Sequence, residues 1–240
     1  ASINMVLGAA ASGVRAMTSS SSPGISLKQE GLSFLAALEL PAVIVNINRG
    51  GPGLGNIAPS QGDYYQATRG GGHGDYRMPV YAPASVQELY DITMRAFDVA
   101  DLYRTPVMIL GDGMMGQIME PIYVRERPDV EIPPKDYILD GAEGRPSRIV
   151  KSLILDPSEM EEHNWKLKRK YDLMAHDLPQ WEEFMTDDAK LTIIAYGTAA
   201  RIAKGAVKRA RSDGLKVGLL RPITLWPFPE KPLAALAESA

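Results

Sequence analysis

The chain has 240 residues, 45% of them hydrophobic, a formal net charge of -3 and no cysteine. That length supports one large domain or two ordinary ones with buried cores, and the weakly acidic balance, without a dense Lys/Arg block, excludes a basic surface for nucleic acid. Neither a disulfide framework nor a thiolate-held metal or iron–sulfur cluster can come from this chain, and no apolar run approaches the roughly 20 residues that cross a bilayer, which points to a cytoplasmic protein.

Taken in order, the pattern is that of an α/β fold with a parallel sheet covered by helices on both faces. Residues 2–13 space Ile3, Val6, Leu7 and Ala10 as a buried helix does. A short strand over 14–18, a loop over 19–24 and a helix over 25–38 follow, the last with Leu27, Leu32, Leu35 and Leu38 on its apolar face. Residues 41–48 form a continuous apolar strand with a polar tip, and 80–82 and 107–111 are two more strands. Between these two, 86–102 is a helix with Leu89, Ile92, Phe97 and Val99 toward the core and Glu88, Asp91, Arg95 and Asp98 toward solvent. Residues 49–77 are a long glycine-rich loop at the carboxyl end of a strand, the edge of an open parallel sheet where ligands bind.

Residues 123–188 change character to charged, proline-punctuated sequence with a helix near 158–175, a pattern suited to a connector or subunit-contact arm. A second α/β unit then begins, with a strand over 190–196, a turn at Gly197 and Thr198, a helix over 199–212 and a strand over 216–220, parallel to the first. The expected division is 1–122, 123–188 and 189–240. Both ends read as cut: Ala1 opens directly on an apolar helical pattern, and 231–240 reads as the first turns of a helix without a stop signal.

Arg49 stands where the strand 41–48 gives way to Gly50-Gly51-Pro52-Gly53. A guanidinium at a strand tip can grip a carboxylate through two parallel hydrogen bonds; a surface pairing with a loop acid is the plainer alternative. The segment Ser19-Ser20-Ser21-Ser22-Pro23-Gly24 joins a strand to a helix, where hydroxyls and amides suit a hydrogen-bond-accepting ligand or simply a serine cap with a proline start. The run Gly70-Gly71-Gly72-His73-Gly74-Asp75 lacks the Lys-Ser/Thr ending of a phosphate loop and suits a flexible lid. His73, His163 and His176 lack metal-ligand spacing, and Asp112 suits a cap or turn.

Several of these segments, in order, resemble the pyrimidine-binding domain of 2-oxoacid:ferredoxin oxidoreductases: residues 1–5 with Gly8, then Met17-Thr18-Ser19-Ser20-Ser21-Ser22-Pro23-Gly24, then 43–48 followed by Arg49-Gly50-Gly51-Pro52. The Gly197-Thr198 unit and Arg221-Pro222-Ile223-Thr224-Leu225-Trp226-Pro227-Phe228-Pro229 similarly resemble the transketolase C-terminal-type domain that follows it. The resemblance implies a subunit of a thiamine-diphosphate enzyme that decarboxylates a 2-oxoacid, reduces ferredoxin and forms acyl-coenzyme A. It also implies a glutamate that activates the aminopyrimidine, expected just before Ala1, so no catalytic acid–base residue is assigned within the chain. By the same match Arg49 binds the substrate carboxylate, and Ser22, Pro23 and Gly24 approach the pyrimidine. The diphosphate, Mg2+ and the iron–sulfur clusters fall to partner subunits.

Relatives acting on 2-oxoglutarate carry hydroxyl residues after the arginine, whereas here Leu54, Ile57 and Ala58 stand in the loop. An apolar wall favours a branched-chain 2-oxoacid such as 2-oxoisovalerate, because a second carboxylate buried without partners is costly. Two other readings share the pattern: the β-type subunit of a lipoamide-linked branched-chain 2-oxoacid dehydrogenase, and a non-catalytic assembly module of the same fold.

Overall fold

A computed structural model describes residues 2–126 and 129–239; Ala1, the first residue of the motif run 1–5, lies outside them. The first unit runs α1 (Ser2–Ala11), β1 (Met17–Ser20), α2 (Pro23–Ser26), α3 (Gln29–Ala37), β2 (Ala42–Asn48), α4 (Tyr64–Thr68), β3 (Val80–Tyr81), α5 (Val86–Tyr103) and β4 (Pro106–Asp112). After a long irregular segment come α6 (Pro157–Asp177), β5 (Trp181–Phe184), β6 (Leu191–Ile194), α7 (Gly197–Ser212), β7 (Val217–Pro222), β8 (Thr224–Trp226) and α8 (Glu230–Ser239).

The first sheet has the order β1-β2-β4-β3-β8, parallel through its first four strands. Successive residues of β2 and β4 serve opposite faces. Ile44, Met108 and Leu110 join α1 and α3 in one core cluster, and Val43, Val45, Val107 and Ile109 join α5 in the other. A strand covered on both faces needs no polar alternation, which is why 41–48 reads as one apolar run.

The differences from expectation have local causes. The first strand begins later, at Met17, because its pairing of Met17–Ser20 with Val43–Asn46 is set by the neighbouring strand and carries two serines into the ladder. The helix over 25–38 is two helices: Lys28 is buried between them, with its ammonium turned back to Thr18 Oγ1 (2.8 Å) and the Ser19 carbonyl (3.0 Å). Asp98 is buried rather than solvent-facing, paired with Arg15 at 2.9 Å, and Asp101 beside it takes Arg15 at 2.8 Å and Lys135 at 2.9 Å. Gly197 and Thr198, expected as a turn, are the first residues of α7. The helix α6 does more than link, since Leu167 and Met174 are buried and Met174 lies in the core beside α5.

The second sheet, β5-β7-β6, pairs β6 with β7 in parallel around α7, as expected, and adds β5 antiparallel. Two features outside the expected pattern tie it to the first unit. Strand β8 closes the edge of the first sheet antiparallel to β3, and Arg221 forks onto Glu88 at 2.7 and 2.8 Å while reaching Glu182 at 2.9 Å.

Candidate functional site

At the carboxyl end of the first sheet, β1, β2 and β4 finish side by side, and each leaves polar atoms there. Asn46 and Asn48, two residues apart on one face of β2, are buried. Asn46 Oδ1 accepts from the Ser22 amide at 3.2 Å, and Asn46 Nδ2 donates to Asp63 of the long loop at 3.0 Å. The Ser22 hydroxyl donates to Asn48 Oδ1 at 3.2 Å and accepts from the Arg49 amide at 3.0 Å. Asp112, at the end of β4, accepts from the amides of Met114 and Met115 at 3.0 Å each, the turn role expected of it.

The predicted residues Ser22 and Arg49 are therefore in direct contact. Arg49 is half-buried; one Nη donates to the Leu54 carbonyl at 3.3 Å, and its Nε is buried without a partner. Asn48 Nδ2 is in the same condition. Open, buried donors at a strand tip suit an acceptor-rich ligand, because such groups are costly to leave unpaired.

After Arg49 the chain folds back on itself. The Gly50 amide donates to the Ala58 carbonyl (2.9 Å), the Asn56 amide to the Gly50 carbonyl (2.8 Å), and the Ala58 amide to Asn56 Oδ1 (2.9 Å). The backbone is held while Leu54 and Ile57 stand out, 80% and 87% exposed, with Ala58 exposed beside them. Further on, Gln61 and Tyr196 exchange two hydrogen bonds: Gln61 Nε2 donates to the Tyr196 carbonyl (3.0 Å), and the Tyr196 hydroxyl donates to the Gln61 carbonyl (3.2 Å). Burial, with Tyr64, Asp112 and Asp63 nearby, pushes the Tyr196 phenol up to about 12, so it remains a donor at neutral pH.

The glycine segment near His73 does not join this cluster. It lies against the start of α3, where buried Tyr76 donates to Gln29 Oε1 at 3.1 Å and burial pushes its phenol up to about 12. His73 and His176 are exposed, and His163 contacts the Ala37 carbonyl at 3.0 Å. Lys28, Asn46, Asn48, Asp63 and Gln61 were not singled out from the sequence. The two asparagines carried a usable signal: polar residues two apart at the tip of an otherwise apolar parallel strand.

Comparison with known proteins adds to this geometry. The family model described as pyruvate flavodoxin/ferredoxin oxidoreductase, thiamine diphosphate-binding, matches residues 1–178, and that described as pyruvate:ferredoxin oxidoreductase core domain II matches 189–240. The ketoisovalerate oxidoreductase subunit VorB of Methanothermobacter marburgensis is 53% identical over 238 residues, covering 99% of this chain and 68% of that protein. The 2-oxoglutarate synthase subunit KorA of Methanothermobacter thermautotrophicus is 39% identical over 263 residues, covering 98% and 70%. Among solved structures, the 2-oxoglutarate:ferredoxin oxidoreductase of Magnetococcus marinus, with 2-oxoglutarate, coenzyme A and succinyl-CoA bound, aligns with a TM-score of 0.82 at 27% identity, over 98% of this chain and 46% of that one. A split-gene transketolase, at 15% identity and a TM-score of 0.55, shares the fold. The chain thus spans about two thirds of these curated relatives and less than half of the solved chain. With both family models in chain order and the mixed α/β fold in common, it belongs to the thiamine-diphosphate-dependent 2-oxoacid:ferredoxin oxidoreductases, an enzyme family, on the thiamine-diphosphate-binding side.

Proposed function

We propose that this chain supplies the substrate-carboxylate grip and part of the pyrimidine pocket in an oxidoreductase that decarboxylates a branched-chain 2-oxoacid, passes its electrons to ferredoxin and forms the acyl-coenzyme A. The observation that carries the reading is Arg49, held at the tip of β2 by Ser22 with its Nε buried and unpaired. A carboxylate takes up two guanidinium donors side by side and relieves that open donor.

We place the pyrimidine half of thiamine diphosphate beside the segment that joins β1 to α2. A Cβ added at Gly24 would lie 2.0 Å from Ser20 Oγ, so a side chain there would displace the Ser20 hydroxyl. We assign Pro23 and Gly24 to the pyrimidine half by the family resemblance. The Ser22 hydroxyl is committed to Asn48 and Arg49 and holds the arginine in place. When bound, the cofactor supplies the nucleophilic carbon and electron sink for decarboxylation. These 240 residues hold no cysteine to ligate an iron–sulfur cluster, and we assign the clusters, with the Mg2+ and the diphosphate, to partner subunits. Among the described residues no helix is long and apolar enough to cross a membrane.

The substrate assignment draws support from the VorB relative, named for ketoisovalerate, and from the chemistry of the loop after Arg49. Leu54, Ile57 and Ala58 offer no donor for a second carboxylate, and their exposure leaves apolar surface for a substrate tail and a partner to cover. We divide the chain into a pyrimidine-binding unit, 1–122, a connector, 123–188, and a second unit from 189; the start of the second family model at 189 supports the last boundary, while the first model runs on through 122 to 178.

The test is Arg49→Ala in the complete enzyme. Loss of a charge-assisted pair of about 1.5–3 kcal/mol lowers kcat/KM for 2-oxoisovalerate by about 100-fold, mainly through KM, with thiamine diphosphate still bound. An unchanged KM removes Arg49 from the substrate site.

A further inference from the structure

Between the tip of β2 and the start of α7 lies a small, partly open space of about 10 Å3, lined among others by Asn48, Gln61, Asp112, Tyr196, Gly197 and Thr198. Two side chains on its wall are more than nine-tenths buried and each has an atom without a partner: Asn48 Nδ2 and Thr198 Oγ1. The first belongs to the strand that carries Arg49; the second belongs to the other sheet's helix. The end of α7 facing this space is also uncapped, since Tyr196 at the N-cap position offers no side-chain acceptor. Gly197 allows the helix to begin this close: its φ is +55°, and a Cβ there would sit 3.3 Å from Gln61 Nε2.

A volume of about 10–15 Å3 is what one water needs, and a buried water is stable when two to four polar groups surround it. Here an amide donor and a hydroxyl line the same small space at the positive end of a 16-residue helix. The geometry points to one ordered water in this space, accepting from Asn48 Nδ2 and bonded to Thr198 Oγ1, which makes Thr198 a positioning residue for Arg49. From the water the path is continuous: Asn48 Oδ1 accepts from the Ser22 hydroxyl at 3.2 Å, and Ser22 Oγ accepts from the Arg49 amide at 3.0 Å. The Gln61–Tyr196 pair fixes the loop beyond Arg49 to the same helix start. Arg49 is therefore held from two sides by the second unit. This role rests on Arg49 binding the substrate carboxylate.

Two measurements on the complete enzyme test it. A crystal structure that resolves ordered solvent shows a single density peak within hydrogen-bond distance of Asn48 Nδ2 and Thr198 Oγ1; a dry cavity overturns the proposal, and this arm needs no variant. In kinetics, Thr198→Val keeps the side-chain shape but loses the hydroxyl. It raises KM for 2-oxoisovalerate about fivefold, about 1 kcal/mol, with kcat within about twofold, while Thr198→Ser restores KM. A hydroxyl needed only for folding would lower the melting temperature and leave KM in place. If Arg49→Ala raises KM and Thr198→Val does not, the positioning role is wrong and the reading of Arg49 stands. If Arg49→Ala leaves KM unchanged, the substrate reading falls and takes the positioning role with it, and the crystal still decides the water.

Discussion

At the amino end of the first sheet the strands begin among paired opposite charges, whereas at the carboxyl end they finish among amides and hydroxyls with donors left open. Before β1, Arg15 pairs with Asp98 and Asp101; before β2, Glu39 is held by Lys166 and Lys170; before β4, Arg104 donates to the Glu39 carbonyl and lies 4.2 Å over the Tyr137 ring. The irregular segment after β4 crosses this end, with the Leu139 amide on the Ala11 carbonyl and Lys135 on both Asp101 and the Gly13 carbonyl. These charges are paired within the chain, and the buried donor left without a partner there is a lone hydroxyl, Thr105 Oγ1. At the other end Asn48 and Arg49 each keep a buried donor unused. One end is finished to keep the sheet together; the other is finished to receive something.

The largest expected effect breaks the closed end. Glu39→Ala strands Lys170, whose side chain is only 13% exposed, and costs about 3–5 kcal/mol of stability, read as a lower melting temperature. KM for the 2-oxoacid in the surviving complex stays within about twofold; a large rise in KM would erase the contrast between the two ends. The same site sets an acid limb. Burial pushes the Glu39 carboxyl up, but Lys170 and Lys166 outweigh it, so the group ionises below the ordinary glutamate value. Its contribution is then complete above about pH 4.3, the unfolded value, and is lost as the pH falls through the lower folded one. Glu39→Gln flattens the stability–pH curve in that interval, which pH-dependent thermal unfolding measures.

At the open end, Ser22→Ala removes the hydroxyl between Asn48 and Arg49 and costs about 1–3 kcal/mol. The change appears in KM for the 2-oxoacid, with the dissociation constant for thiamine diphosphate little altered. The reverse pattern would return Ser22 to the cofactor, where the sequence reading had it. The smallest effect is in selectivity. Leu54→Ser weakens the preference for 2-oxoisovalerate over 2-oxoglutarate by about 1 kcal/mol, measured as the ratio of kcat/KM values; an unchanged ratio takes Leu54 out of the substrate wall.

Much of the fold was legible because its rules are local. Apolar runs such as 41–48 and 107–111 and the helical spacing of 86–102 are properties of short stretches, and the structure finds strands and a helix at those places. The site was legible in part: Arg49 and Ser22 stood out by position and family resemblance, and they meet. What stayed hidden depends on residues far apart in the chain. Asp98 looks solvent-facing until Arg15, 83 residues away, covers it. Thr198 looks like a turn residue until the fold brings Asn48 to the same small space. Periodicity does not indicate that β8 will pair with β3, because an edge strand of three residues is chosen by the edge it finds.

That edge pairing has a mechanical consequence. Residues 118–156 have no helix or strand among the described residues and expose Met119, Val124 and Leu155, so a protease has a broad choice of cutting points there. A single cut would leave the halves joined by the β3–β8 ladder, the Arg221 fork and the packing of α6. The peptide link between the units is thus dispensable once the chain has folded, and the nicked protein should migrate as one particle until denaturant parts it.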